Sequence, residues 1–259
     1  MAYLDFQRES GLGAFARLCG AARRCAAVLD ALPTDCPLCQ DRAAGGGLCA
    51  GCLADVTRSM RGGRPRCAVC ALPLGALPAC PDCAPLAPAF DRVIAAFDYA
   101  APGDLLIHGF KMEKRFAYAR MLSGLLAEQI ARSPPGLPGH TILVPVPSGG
   151  ASIRRRGFNP AAEVARALAR RMRLAYRPGV LRRVREGDKQ ASLGRAQRVR
   201  NARNMYACHG TVRGLHVAVV DDVLTTGSTV HGIALALKAS GAASVSALVL
   251  ARTPHRLAS

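Results

Sequence analysis

Two adjacent carboxylates, Asp221 and Asp222, close an apolar run from His216 to Val220. A loop of small hydroxyl residues around one glycine follows: Thr225, Thr226, Gly227, Ser228 and Thr229. A helical pattern begins directly after it. Strand, acidic pair, hydroxyl-rich turn and helix together make a holder for a sugar phosphate. The turn offers backbone N–H groups and hydroxyls to a phosphate, and the dipole of the helix start favours its charge. The carboxylates lie within reach of the attached ribose hydroxyls or of a divalent cation. A purely structural turn rarely needs four hydroxyl residues around one glycine. A Walker-type acidic strand end would need a G-x-x-x-x-G-K-[ST] loop elsewhere, and the chain has none.

The stretch HVAVVDDVLTTGSTV, His216 to Val230, resembles the 5-phosphoribosyl-1-pyrophosphate (PRPP) signature of type I phosphoribosyltransferases in its acid pair, spacing and loop. Two basic segments add anion-binding chemistry. IRRRGFNPAAE, Ile153 to Glu163, sets Arg154, Arg155 and Arg156 just before a capped helix. Clustered guanidiniums suit a pyrophosphate or a nucleic-acid backbone. REGDKQASLGRAQRVRNARNMY, Arg185 to Tyr206, is too polar for a core and reads either as a mobile lid, with Lys189 and Gln190 as its ligand contacts, or as a plain exposed loop with a helix.

Eight of the eleven cysteines form four C-x-x-C pairs. Cys36 and Cys39 precede Cys49 and Cys52; Cys67 and Cys70 precede Cys80 and Cys83. Nine residues separate the pairs in each half, so the arrangement is duplicated. Four thiolates match tetrahedral Zn²⁺, and C-x-x-C is the knuckle that turns two sulfurs toward one ion. Two structural zincs are expected, with no open coordination position. Spacing leaves two pairings open: pairs one and two share an ion, or pairs one and three do so in a crossed arrangement. Cys19, Cys25 and Cys208 have no such partner and read as buried free thiols.

The elements that must position these groups follow from patterning. Residues 1–32 form a partly helical lead-in. Residues 33–84 form the cysteine module, too small to fold on apolar burial alone, so that metal supplies its stability. Ala84 to Phe90, APLAPAF, is a proline-bearing linker. From residue 91 to 259 the pattern is α/β. Strands are expected at 93–99, 142–146, 216–220 and 245–250. Helices are expected over 103–132, from Asn159-Pro160 onward, and over 230–240, where Gly241 stops the last one. Alternating strands and helices imply a parallel sheet with ligands at the strands' C-terminal ends. The acidic pair lies at such an end.

Composition bounds the partners. The chain of 259 residues carries 35 basic and 17 acidic residues, a formal net charge of +18, and only four lysines: Lys111, Lys114, Lys189 and Lys238. A basic surface favours polyphosphates and nucleic acid. The absence of Trp and the scarcity of aromatics argue against base-stacking platforms. No apolar run approaches the roughly 20 residues of a membrane span. The start, MAYLDFQRES, lacks the features of a signal peptide, so a cytoplasmic location is expected.

Taken together, the C-x-x-C series, LIHGFK (Leu106 to Lys111), RRRGFNP (Arg154 to Pro160), KQASLGRAQRVRN (Lys189 to Asn201) and VVDDVLTTGSTV resemble the ComF family. The likeness runs from about Cys36 to Arg252. It implies an N-terminal double zinc ribbon and a type I phosphoribosyltransferase fold, a parallel sheet flanked by helices. It also implies PRPP binding with Mg²⁺ and, in some members, a part in DNA uptake. PRPP would then bind through Asp221, Asp222, Thr225–Thr229, Arg154, Arg155, Arg156 and Lys189, with the two aspartates as catalytic candidates. The family commonly has leucine and glutamine where this chain has Phe110 and Pro160. Two functions fit: a phosphoribosyl transfer to a nitrogenous base or other nucleophile, or a non-catalytic PRPP or nucleotide module. In the second, zinc ribbons and basic loops engage single-stranded DNA or a DNA-uptake helicase.

Overall fold

The computed structural model describes residues 31–63, 65–184 and 205–254. The chain divides into two compact units, Met1–Leu53 and Ala54–Ser259. In the first, strands β1 (Pro33–Asp35) and β2 (Arg42–Ala44) pair antiparallel, Pro33 opposite Ala44. The turn between them holds Cys36 and Cys39, with the Cys36 amide donating to the Asp41 carbonyl and Gln40 at a φ of 65°. Cys49 then leads into helix α1 (Ala50–Arg61), whose first turn carries Cys52.

The second unit opens with the other two C-x-x-C pairs and a short helix, α2 (Cys83–Leu86). Strand β3 (Arg92–Asp98) follows, then helices α3 (Gly103–Lys111) and α4 (Tyr118–Ala131). Next come β4 (Thr141–Pro145), α5 (Gly150–Arg156), α6 (Pro160–Met172) and β5 (Ala175–Tyr176). Strands β6 (Leu181–Arg183) and β7 (Tyr206–Cys208) pair antiparallel and flank residues 185–204. The chain then forms β8 (His216–Leu224), α7 (Ser228–Ala239) and β9 (Ser244–Arg252).

Five strands form one parallel sheet in the order β3-β9-β8-β4-β5. Its central members read as near-continuous apolar runs because both faces are covered, as parallel sheets require. Val217 to Val220 and Ala247 to Ala251 are at most 1% exposed. Helices α4 and α6 pack on each other and on the sheet, and α7 packs on β9 and β7. The order of strands and helices is the one expected of a type I phosphoribosyltransferase fold.

Three local expectations are corrected. The 103–132 helix is two helices, broken between Lys111 and Tyr118 where Lys114 takes a φ of 56°. The central strand continues four residues past Val220, so both acids lie within it and Asp221 still pairs with Val249 of β9, rather than following a finished strand. The segment 84–90 is no free linker: Leu86 and Phe90 are buried, and Phe90 joins the core of the sheet domain. Residues 1–30, with Cys19 and Cys25, and most of the basic segment 185–206, with Lys189 and Gln190, lie outside the described residues. Among the described residues no helix is long and apolar enough to cross a membrane.

Candidate functional site

The eight paired cysteines gather into two tetrads, Cys36, Cys39, Cys49 and Cys52, and Cys67, Cys70, Cys80 and Cys83. In each, the four sulfurs lie within 4.8 Å of one another. Sequential pairs therefore share a site, and the crossed pairing is not formed. The Sγ···Sγ separations include 3.6 Å (Cys39–Cys49), 3.7 Å (Cys67–Cys83) and 3.4 Å (Cys70–Cys80). A tetrahedral zinc with Zn–S of ~2.3 Å sets its ligand sulfurs about 3.8 Å apart, so the geometry fits. The knuckles donate backbone N–H groups to sulfur, Cys52 to Cys49 at 3.4 Å and Cys70 to Cys67 at 3.5 Å, as suits thiolates. Burial pushes the Cys70 thiol up to about 11 although the Arg252 guanidinium opposes it. Burial and the sulfurs of Cys70 and Cys67 push the Cys83 thiol up as well. Four thiolates this close coexist only around a cation, and two structural zincs suit the two tetrads. Cys208 stays outside both; it is half-buried on β7 and faces the Gly210 carbonyl at 3.8 Å.

The acidic pair and the hydroxyl turn meet at the C-terminal end of β8. Asp221 Oδ1 accepts from the Asp222 amide at 2.9 Å, and Asp222 Oδ1 accepts from the Val223 amide at 2.7 Å. Burial, then the neighbouring Asp222 carboxylate, raises the Asp221 carboxyl to about 7. The Asp222 amide, Lys111 and Arg156 oppose that rise. Two acids thus stand side by side at the mouth of a parallel sheet, a chemistry that a cation or sugar hydroxyls can match.

Gly227 forms the N-terminal boundary of α7 with a φ of 79°, a left-handed conformation that favours glycine. It turns the chain so that Thr226 Oγ1 lies 2.8 Å from Ser228 Oγ. Asp221 and residues 223–230 line a cavity of about 50 Å³, of a size for one small anion. A wider cavity of about 660 Å³ is lined by Tyr99, Asp104, Lys111, Asp222, Val223, Thr225, Thr253 and Pro254. The two share Val223 and Thr225.

The arginine segment follows β4 in the sheet. Asn159 caps α6 by accepting from the Ala161 amide, accepts from Ser148 Oγ at 2.9 Å and donates to the Val146 carbonyl at 2.9 Å. One side chain thereby folds the loop 146–159 back on itself. Pro160 occupies the first helical turn, where it is tolerated, and Phe110 packs edge-on to Phe158 at 5.6 Å. Both departures from the family pattern are therefore accommodated. Of the three arginines only Arg156 turns toward the acids. It donates to Ser148 Oγ at 3.4 Å, and its buried Nε has no hydrogen-bond partner among the described residues. Arg154 and Arg155 are exposed on the last turn of α5.

Two site residues escape the motif reading. Lys111 Nζ, at the end of α3, pairs with Asp222 Oδ2 at 2.8 Å. Its signals were its place in LIHGFK and the scarcity of lysine. Arg183 on β6 lies so close to Gly149 that a Cβ there would sit 2.8 Å from its Nη1. Burial raises the nearby Tyr206 hydroxyl, with Arg183 opposing and Asp221 adding to the rise, so β6 and β7 stand beside the acids. No sequence motif marks Arg183.

Residues 126–258 match the phosphoribosyl transferase domain family, and residues 28–84 match the double zinc ribbon domain family. The chain is 36% identical over 211 residues to the DNA utilization protein YhgH of Salmonella typhi, spanning 80% of this chain and 91% of the relative. It is 35% identical over 228 residues to the protein of that name from Escherichia coli K12, spanning 86% and 98%. Competence protein F of Haemophilus influenzae is 29% identical over 212 residues, spanning 80% and 90%. A double zinc ribbon, a phosphoribosyl transferase domain and similarity to these proteins over 80% or more of the chain coincide here, and the chain therefore belongs to the ComF family.

Proposed function

We propose that the protein binds PRPP with Mg²⁺ and transfers its phosphoribosyl group to a nitrogenous base or another nucleophile, in the service of DNA uptake or use. The observation that carries this is the meeting of Asp221, Asp222 and the turn Thr225–Thr229 at one strand end, beside a cavity of about 660 Å³. The small cavity suits the 5-phosphate, held by turn amides, hydroxyls and the start of α7. The ribose 2- and 3-hydroxyls then reach Asp221 and Asp222. Carboxylate oxygens are the hard ligands that Mg²⁺ prefers, and its charge would ease departure of the pyrophosphate. Arg156 and, from the residues outside the description, Lys189 balance that pyrophosphate; Arg154 and Arg155 are within the same segment. The acceptor attacks C1 as the C1–O bond to pyrophosphate breaks. Pyrophosphate leaves with the electron pair, and the acceptor gives up its proton. The carboxylates stabilise the positive charge that develops on the sugar.

A second reading is supported by the net charge of +18 and by relatives named for competence and DNA utilization. Here the pocket senses PRPP or a nucleotide while ribbons and basic loops engage single-stranded DNA or a DNA-uptake helicase. Incubation with PRPP, Mg²⁺ and a panel of bases separates the two. Pyrophosphate release supports transfer. PRPP binding by calorimetry without any release removes the enzyme. Binding of single-stranded DNA should weaken steeply with salt, and no binding at low salt removes that partner.

A further inference from the structure

Arg252, at the C-terminal end of β9, is 1% exposed and ties the second zinc site to the hydroxyl turn. Its Nε donates to the Cys70 carbonyl at 2.9 Å. Its Nη2 meets the Cys70 sulfur at 3.6 Å and pairs with the Asp82 carboxylate, which lies between two zinc-site cysteines. Its Nη1 donates to the carbonyls of Leu224, Thr225 and Thr253 at 3.3, 2.5 and 2.7 Å. One planar guanidinium thus holds a zinc ligand on one side and the first residue of the turn on the other. Lysine, a point donor on a flexible stem, cannot span both sets.

Two further contacts join the same parts. A Cβ at Gly227 would meet the Phe90 ring at 3.4 Å and Leu86 at 3.8 Å, so the turn rests on the segment that leaves the zinc site. The Ala89 amide donates to His231 Nδ1 at 3.1 Å in the first turns of α7. Three independent connections therefore run from the second tetrad to residues 224–231.

We propose that the second four-cysteine site, acting through Arg252, sets the conformation of the turn Thr225–Thr229, with Arg252 as a positioning residue. The identity of the ligand in that turn rests on the PRPP reading; the coupling does not. The Arg252→Lys chain, with both zincs, is compared with wild type by amide hydrogen exchange. Exchange in the turn should rise about tenfold while the central strands stay protected, since local opening costs less than global unfolding. Unchanged exchange in the turn, with the strands protected, overturns the proposal. If Arg252→Lys does not fold, wild type alone decides. Its two zinc affinities are measured by equilibrium competition with a chromogenic chelator, with and without saturating PRPP. Coupling is reciprocal, so PRPP should tighten one of the two zincs about tenfold and leave the other unchanged. Equal affinities with and without bound PRPP overturn the coupling. If calorimetry finds no PRPP binding to wild type, the proposed ligand falls, and exchange in the turn after selective loss of one zinc decides the coupling in its place.

Discussion

The two four-cysteine sites have the same spacing and different surroundings. The first sits beside a two-stranded hairpin of three residues each, and its Cys39 is exposed. Among the described residues no apolar core of its own surrounds it beyond Cys36, which is 1% exposed. The second packs into the sheet domain: Cys70, Ala71 and Leu72 belong to its core, and the Val93 amide on β3 donates to the Val69 carbonyl. Arg66 forms a two-pronged pair with Asp98 at 2.7 and 3.0 Å. A repeated motif therefore has two physical roles. In the first site metal replaces a missing core; in the second it anchors an existing one, next to the hydroxyl turn.

That contrast breaks most sharply under loss of a ligand. Cys70→Ser removes a zinc ligand whose backbone and sulfur both meet Arg252, and it should lower the stability of the sheet domain by on the order of 5 kcal/mol, a fraction of a structural zinc's binding free energy. At about 2–4 °C per kcal/mol that is a fall in Tm of 10 °C or more, read by calorimetry. Cys39→Ser should release the other zinc with the sheet-domain transition moved by less than about 2 °C. Equal shifts in the two variants would erase the distinction. Metal analysis of the wild-type chain should find two zincs, and a folded, metal-free chain would contradict both roles.

Much of this was legible in the sequence, for reasons that differ by region. The C-x-x-C spacing specifies a metal site locally, because two sulfurs three residues apart must face one ion. Strand β8 and its turn are legible for a similar reason: acids, hydroxyls and glycine are consecutive. The pairing of tetrads, the role of Arg252 and the ion pair Lys111–Asp222 were not legible. Arg252 meets Asp82 across 170 positions and Lys111 meets Asp222 across 111. Only the sheet order β3-β9-β8 brings them together. The break between α3 and α4 was hidden because an apolar helical pattern continues on both sides of it. The three arginines looked equivalent in sequence; helix geometry turns Arg156 inward and leaves Arg154 and Arg155 outside.

The second region should respond to its acids as well as to its metal. Asp221→Asn with Asp222→Asn should weaken PRPP binding by at least about 100-fold, some 2.7 kcal/mol, because two charged acceptors are lost together. Both zincs should be retained and the Tm should not fall. Unaltered affinity would remove the site assignment. A smaller effect follows from the Asp221 carboxyl, which burial and Asp222 raise to about 7. A raised carboxyl binds its proton more tightly in the folded state. Its contribution therefore favours folding at low pH, and it is lost as pH rises from the ordinary carboxylate range toward 7. Ligand affinity should move oppositely, increasing between pH 6 and 8 as the carboxylate forms. Asp221→Asn should remove this part of both profiles. Calorimetric titrations at the two pH values check it, and a flat wild-type profile refutes it.

The smallest effect tests the contrast at a single atom. Gly46 and Gly227 share a left-handed backbone, with φ of 71° and 79°. A Cβ at Gly46 meets nothing within 4 Å, whereas at Gly227 it meets the Phe90 ring at 3.4 Å. Alanine costs about 1–2 kcal/mol at either position from the backbone alone. At Gly46 that cost stays in the hairpin of the first site, where the Gly46 amide meets Thr34 Oγ1 at 3.1 Å. The sheet-domain Tm and PRPP affinity should not change. At Gly227 the same methyl comes into van der Waals contact with Phe90, which lies in the core beside the second zinc site, so the backbone cost falls on the turn itself. The sheet-domain Tm should fall by a few degrees, and PRPP affinity should fall several-fold through displaced amides. Equal behaviour of Gly46→Ala and Gly227→Ala would mean that the turn is free of the ribbon beneath it, and that the two sites differ in burial alone.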